Sequence, residues 1–138
     1  MKAAILIISF LFIGFSAKGQ GIEFFEGDFG MAQAMAKKEG KLLFIDCYTT
    51  WCTPCKVLDK EVFQNDKVGK YMNKKFICLR IDMETDAGLA MMRKYVITVY
   101  PTLIFGKVDG TEIKRVSGSM NPDEFITLAK GVVKPPKK

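Results

Sequence analysis

The chain has 138 residues, 49% apolar and 26% charged, with a formal net charge of +6, four Cys and no His. This size and balance point to one globular domain and exclude disordered, collagen-like and low-complexity classes. The missing His removes Ser-His and Cys-His nucleophile pairs, an imidazole base and imidazole metal ligands, leaving Cys, Asp, Glu, Lys and Tyr as candidate reactive groups.

The N-terminus has the form of a secretory signal. Lys2 precedes an apolar run, Ala3 to Phe15, broken only by Ser9 and Gly14. Ser16-Ala17-Lys18-Gly19 supplies small residues for cleavage after Gly19. The run is shorter than the ~20 apolar residues that span a bilayer, although an uncleaved signal anchor is the alternative. Removing residues 1–19 takes away Lys2 and Lys18 and no acid, so the net charge falls to +4. The expected organisation is a signal peptide over residues 1–19, one domain over 20–133 and a basic tail over 134–138. Export to the periplasm or outside the cell places the cysteines where disulfides persist.

A short strand is expected near Ile22 to Phe25. Asp28 caps a helix through Phe29 to Lys38, with Met31, Ala34, Met35 and Lys38 at helical spacing and Gly40 as the stop. Lys41 to Tyr48 contains the continuous apolar run Leu42-Leu43-Phe44-Ile45, as in a strand covered on both faces. A helix follows from Cys52 to Phe63, and Asn65-Asp66 restarts one to Met72. Phe76 to Ile81 is a second buried strand. Asp86 to Tyr95 is helical, with Leu89, Met92 and Val96 on one face.

Pro101 to Phe105 is the next strand, and Asp109-Gly110 turns the chain into Glu112 to Val116. Asn121-Pro122 opens the last helix. The order βαβαβαββα predicts an α/β fold: a central mixed sheet flanked by helices on both faces.

Chemistry concentrates in Trp51-Cys52-Thr53-Pro54-Cys55-Lys56, between a buried strand and a helix. The first turn of a helix has unpaired backbone N–H groups and partial positive charge, which favour a thiolate at Cys52. Two intervening residues bring Cys55 within reach, so the pair can close into a disulfide and reopen. Pro54 suits the first turn because it has no N–H to satisfy. Taken alone, C-x-x-C also fits half a zinc site or a structural disulfide. A zinc site would lack ligands, because Cys47 and Cys78 form no second C-x-x-C. A bridge across so short a loop constrains the unfolded chain little.

Phe44-Ile45-Asp46-Cys47-Tyr48-Thr49-Thr50-Trp51-Cys52-Thr53-Pro54-Cys55-Lys56 resembles the strand and active-site motif of the thioredoxin superfamily. Val99-Tyr100-Pro101-Thr102 resembles its cis-proline segment, and Gly118 the glycine after its last strand. The likeness spans residues 22–133. Asp59-Lys60-Glu61-Val62-Phe63 and Asn65-Asp66-Lys67-Val68 are similar to exported members related to the C-terminal domain of the transmembrane thiol reductant conductor.

The resemblance implies roles. Cys52 is the exposed nucleophile and Cys55 the buried resolving thiol. Asp46 is the buried acid whose pKa desolvation raises, able to take the proton of Cys55; a strand-end or capping acid is the plainer alternative. Trp51, Thr53, Pro54, Tyr100 and Pro101 line the substrate groove, with Pro101 cis rather than an ordinary trans turn proline.

The family pattern is not followed throughout. Thr53 replaces the Gly of the commonest motif, and no His lies between the cysteines, which favours a reductant or isomerase over an oxidant. Cys78 stands where a Lys often neighbours the buried acid, so that cation is missing. Cys47 adjoins Asp46 and points to the opposite sheet face, whereas Cys78 shares the face of Asp46. A bridge between them would cross the sheet, so both are expected as buried free thiols.

The implied activity needs no cofactor and no metal. It takes disulfides of other exported proteins as substrates, a membrane redox partner to recharge it, and acts as a monomer. A non-catalytic module that holds client chains in the groove beside Pro101 is the alternative. The eight Met read as core filling rather than a copper site. The aromatic residues lack an interleaved basic stripe, so nothing points to nucleic acid.

Overall fold

The computed structural model describes residues 20–134. The signal-like segment and the last four tail residues lie outside that range.

The helices start where short polar side chains cap them. Asp28 Oδ1 accepts the Met31 N–H at 2.8 Å and opens α1, Phe29–Glu39. Gly40 closes it at φ 64°, a left-handed conformation that glycine adopts without steric cost. Strand β1, Leu42–Tyr48, is followed by α2, Thr53–Leu58, which widens into a π-helical turn, Asp59–Phe63. Asn65 caps α3, Asp66–Lys75, which runs into β2, Phe76–Asp82. Then come α4, Asp86–Tyr95; β3, Thr102–Gly106; and β4, Glu112–Ser117. Asn121 and Glu124 form a reciprocal capping box at the head of α5, Pro122–Val133.

The sheet order is β2-β1-β3-β4. β1 runs parallel to β2 and antiparallel to β3, and β3 is antiparallel to β4. The α/β fold with a mixed sheet and helices on both faces is therefore present. β1 is central, and its alternating side chains feed two cores. Leu43, Ile45 and Cys47 pack with Ala32, Ala36, Met91 and Tyr95 of α1 and α4. Phe44 packs on the other face with Leu58, Val62, Phe63, Val68, Met72 and Phe125 of α2, the π turn, α3 and α5.

Three local expectations change. The strand at Ile22 to Phe25 is reduced to one bridge, Phe24 to Cys78. Neighbouring backbone groups are taken elsewhere: the Ile22 N–H goes to Phe63 O at 2.7 Å, and Asn73 bonds both the Glu23 N–H and Gly21 O. On α1, Met31 is exposed, and the small side chains of Ala32 and Ala36 face the sheet. On α4, Leu89 and Val96 are exposed, while Gly88, Met91 and Tyr95 face inward. Gly88 explains that rotation. A Cβ there would lie 2.4 Å from Asp82 O and Met83 Cα, so the helix rests directly on that backbone.

Candidate active site

The reactive pair sits where β1 gives way to α2. Thr49 O accepts the Cys52 N–H at 3.3 Å as the chain bends. Cys52 is then the cap of α2, its Sγ accepting the Cys55 N–H at 3.2 Å. Thr53 and Pro54 occupy the first two helical positions, where a missing N–H leaves no hydrogen bond unmade. Cys52 and Cys55 form a disulfide with their Cα atoms 5.3 Å apart. The helix-cap geometry is the one that favours a thiolate at Cys52 once the bond is opened.

Burial differs from the expectation of an exposed nucleophile. Cys52 is 3% exposed in the disulfide form, and Cys55 is buried as well. The surface around them belongs to Trp51, Thr53 and Pro54, with Trp51 64% exposed.

The structure brings the groove residues together across the sequence. The Tyr100–Pro101 bond is cis. The ring of Tyr100 meets that of Trp51 edge-on at 6.0 Å, and Trp51 Nε1 donates to Glu84 Oε1 at 3.0 Å. Pro101 O accepts the Gly118 N–H at 3.3 Å, and Gly118 has φ 91°. The Cys52 loop, the proline segment and the end of β4 are thereby fastened to one another. Glu84 was not anticipated from the sequence.

Asp46 is 1% exposed and lies on the face of β1 that carries Phe44, the side covered by α2. Burial pushes its carboxyl up to about 7, because the anion loses its hydration. Arg80 opposes this and Asp59 adds to it. Arg80 Nε is 3.1 Å from Asp46 Oδ2, yet neither carboxyl oxygen accepts a hydrogen bond. The attraction is therefore chiefly one of charge.

Arg80 corrects the expectation of a missing cation. The positive charge sits two residues beyond Cys78, directly opposite Asp46 in the β1–β2 register. Setting Leu42–Tyr48 beside Phe76–Asp82 as parallel strands would have found it.

Cys47 and Cys78 are buried free thiols on opposite faces of the sheet. Burial, helped by the neighbouring Asp46 charge, pushes the Cys47 thiol up to about 12, and burial raises Cys78 further still. Both remain protonated near neutral pH and are poor nucleophiles. Among the described residues, no cluster of three or more Cys, Asp or Glu has the arrangement of a metal site.

A thioredoxin-like domain profile matches residues 29–132. The chain belongs to the thioredoxin-like domain family. It carries the Cys52–Cys55 pair, the chemical equipment for thiol–disulfide exchange. It is 30% identical over 110 residues to the thiol:disulfide interchange protein DsbD of Pseudoalteromonas atlantica, covering 77% of this chain and 18% of the relative. The chain thus spans less than a fifth of that relative's length.

A solution structure of a candidate disulphide isomerase from Bacteroides thetaiotaomicron is 40% identical, with a TM-score of 0.75, covering 88% of this chain and all of the other. The oxidised C-terminal domain of Neisseria meningitidis DsbD shares the fold at 20% identity and TM-score 0.62, covering 72% of this chain and 88% of that one. This thioredoxin-like chain has no described helix long and apolar enough to cross a membrane.

Proposed function

We propose that this protein is exported and passes electrons to the disulfides of other exported proteins, as a reductant or isomerase. The observation that carries the reading is the Cys52–Cys55 pair at the head of α2, beside the Tyr100–Pro101 segment and on the sheet face that buries Asp46.

The Cys52 thiolate attacks one sulfur of the substrate disulfide. A mixed disulfide forms, and the other substrate sulfur leaves as a thiolate that takes up a proton. Asp46 accepts the proton of Cys55, whose thiolate then attacks Cys52 Sγ. The Cys52–Cys55 bond forms and the second substrate sulfur leaves. Two electrons have moved from the pair to the substrate, and a membrane thiol donor returns the enzyme to the dithiol. Trp51, Thr53, Pro54, Tyr100 and Pro101 border the bound segment. The protein acts as a monomer of residues 20–133 with a short basic tail, after removal of residues 1–19.

The reading is tested by reduction of an insulin-type disulfide with the wild type and the Cys52→Ser/Cys55→Ser variant. Turnover in the wild type alone supports it. Protection of client chains by the double variant, with no reductase or isomerase activity in the wild type, would replace it with the holding module. A pair potential near that of thioredoxin, about −270 mV, supports a reductant, and one near −120 mV an oxidant. A mature N-terminus at Gln20 in the exported fraction checks the leader.

A further inference from the structure

Arg80 is tied to the site by more contacts than a half-buried strand residue needs. Its Nε lies 3.1 Å from Asp46 Oδ2, and its Nη1 donates to Asp59 Oδ1 at 2.7 Å. The guanidinium carbon sits 4.8 Å from the centre of the Tyr48 ring, 5.4 Å from that of Phe24 and 6.0 Å from that of Phe63. Three aromatic rings and two carboxylates therefore hold one planar cation. The two acids are not alike. Asp46 is buried without a hydrogen bond, whereas the Asp59 side chain is 31% exposed at the start of the π turn, seven residues after Cys52.

We propose that Arg80 is a positioning residue that sets the proton affinity of Asp46, and that Asp59 governs how much of the Arg80 charge Asp46 receives. The proposal rests on the reading of Asp46 as the proton acceptor for Cys55. A buried carboxyl without partners would stay protonated at neutral pH and could take nothing from a thiol. The Arg80 charge brings its midpoint back into the working range. Asp59 draws on the same guanidinium and adds its own negative charge, which pushes Asp46 the other way.

No further charge intrudes from the elements around Asp46. β3 places apolar Leu103 opposite it, and the one charged side chain on α2, Lys56, is exposed at the surface. On β1 itself, Cys47 faces the other core and stays neutral. The charged groups that act on Asp46 are Arg80 from β2 and Asp59 from the π turn.

The two neighbours thus make opposite predictions for the Asp46 midpoint, and only a part in proton transfer carries those shifts into the rate of disulfide closure. The test is the midpoint of the Asp46 carboxyl, followed by 13C NMR in the full chain, together with the pH profile of Cys52–Cys55 closure on a small disulfide peptide. Arg80→Gln is expected to raise the midpoint by about one pH unit and slow closure about tenfold on the acid limb. Asp59→Asn is expected to lower the midpoint. Arg80→Lys keeps the charge and is expected to stay close to the wild type.

Unmoved midpoints in Arg80→Gln and Asp59→Asn would overturn the proposal. If Arg80→Gln does not fold, Asp59→Asn decides alone: a lowered midpoint supports it and an unchanged one overturns it. Midpoints that move while the closure profile does not follow would leave Arg80 as the tuner of Asp46 and reject Asp46 as the proton acceptor.

Discussion

The two faces of the sheet bury ionisable groups from adjacent residues of β1, and only one of those groups titrates near neutral pH. Asp46 looks toward α2 and the π turn, beside the phenylalanine-rich core. Cys47 looks toward α1 and α4, among Ala, Ile and Met side chains. Burial raises both. Asp46 rises from 3.8 to about 7 and Cys47 from 9.0 to about 12, and in each case a guanidinium opposes the burial, Arg80 for Asp46 and Arg115 for Cys47. Depth alone therefore does not make a reactive group. The two rises are alike, so the greater intrinsic acidity of a carboxyl is what leaves Asp46 near neutral pH and Cys47 an inert thiol.

The severest way to break this contrast is to open the aromatic core next to Asp46. Phe44 is fully buried and meets Phe63, Phe105 and Phe125 at ring-centre distances of 5.9, 5.0 and 5.5 Å. Phe44→Ala is expected to cost about 3–5 kcal/mol in urea unfolding. The added water access should also lower the Asp46 midpoint.

Asp46→Asn tests the same face from the electrostatic side. The folded carboxyl titrates near 7 and a free one near 3.8. Between those values the folded state keeps a proton that the unfolded chain gives up, so stability is greatest below the lower value and falls as pH rises toward 7. The neutral Asn escapes that loss. Its gain over the wild type is expected to be roughly 2–4 kcal/mol at pH 7.5 and to shrink toward pH 4, as read from unfolding curves at both pH values. Equal stability differences at the two pH values would show that Asp46 is not held neutral by burial. On the Proposed function reading the same variant closes its disulfide more slowly at neutral pH.

On the opposite face the expected effects are smaller. Cys47→Ala should leave disulfide exchange unchanged and cost about 1 kcal/mol of stability. A thiol reagent should label Cys47 of the wild type only after unfolding.

The smallest change concerns the end of α4. Val96 caps that helix at φ 50° and is 71% exposed, so it pays for an unfavourable backbone with little packing in return. Val96→Gly is expected to gain about 0.5–1 kcal/mol in thermal or urea unfolding, with exchange activity retained.

The local signals in the chain were strong where chemistry is local. Asp28, Asn65 and Asn121 cap the helices because each side chain reaches an N–H two or three residues ahead. The doubly covered strand at Leu42–Tyr48 was legible in its unbroken apolar run. Cys52 and Cys55 were legible because a helix start brings residues three apart together. The inner faces of α1 and α4 were not, because Ala32, Ala36 and Gly88 carry a weak hydrophobic signal. They lie inward because small size permits close approach, and that depends on the backbone beneath them.

The sequence by itself determined the order of the helices and strands from α1 onward, the caps, the reactive pair and the opposite facing of Cys47 and Asp46, because each follows from short-range backbone periodicity. The tertiary structure decided what surrounds those groups. Pairing β1 with β2 in one register set Arg80 against Asp46, and the π turn brought Asp59 to the same guanidinium. The meeting of Trp51 with Tyr100 and Glu84 was likewise settled by folding. Electrostatic tuning depends on distance through space, and residues 21 to 49 positions apart in the chain become neighbours only when the sheet forms.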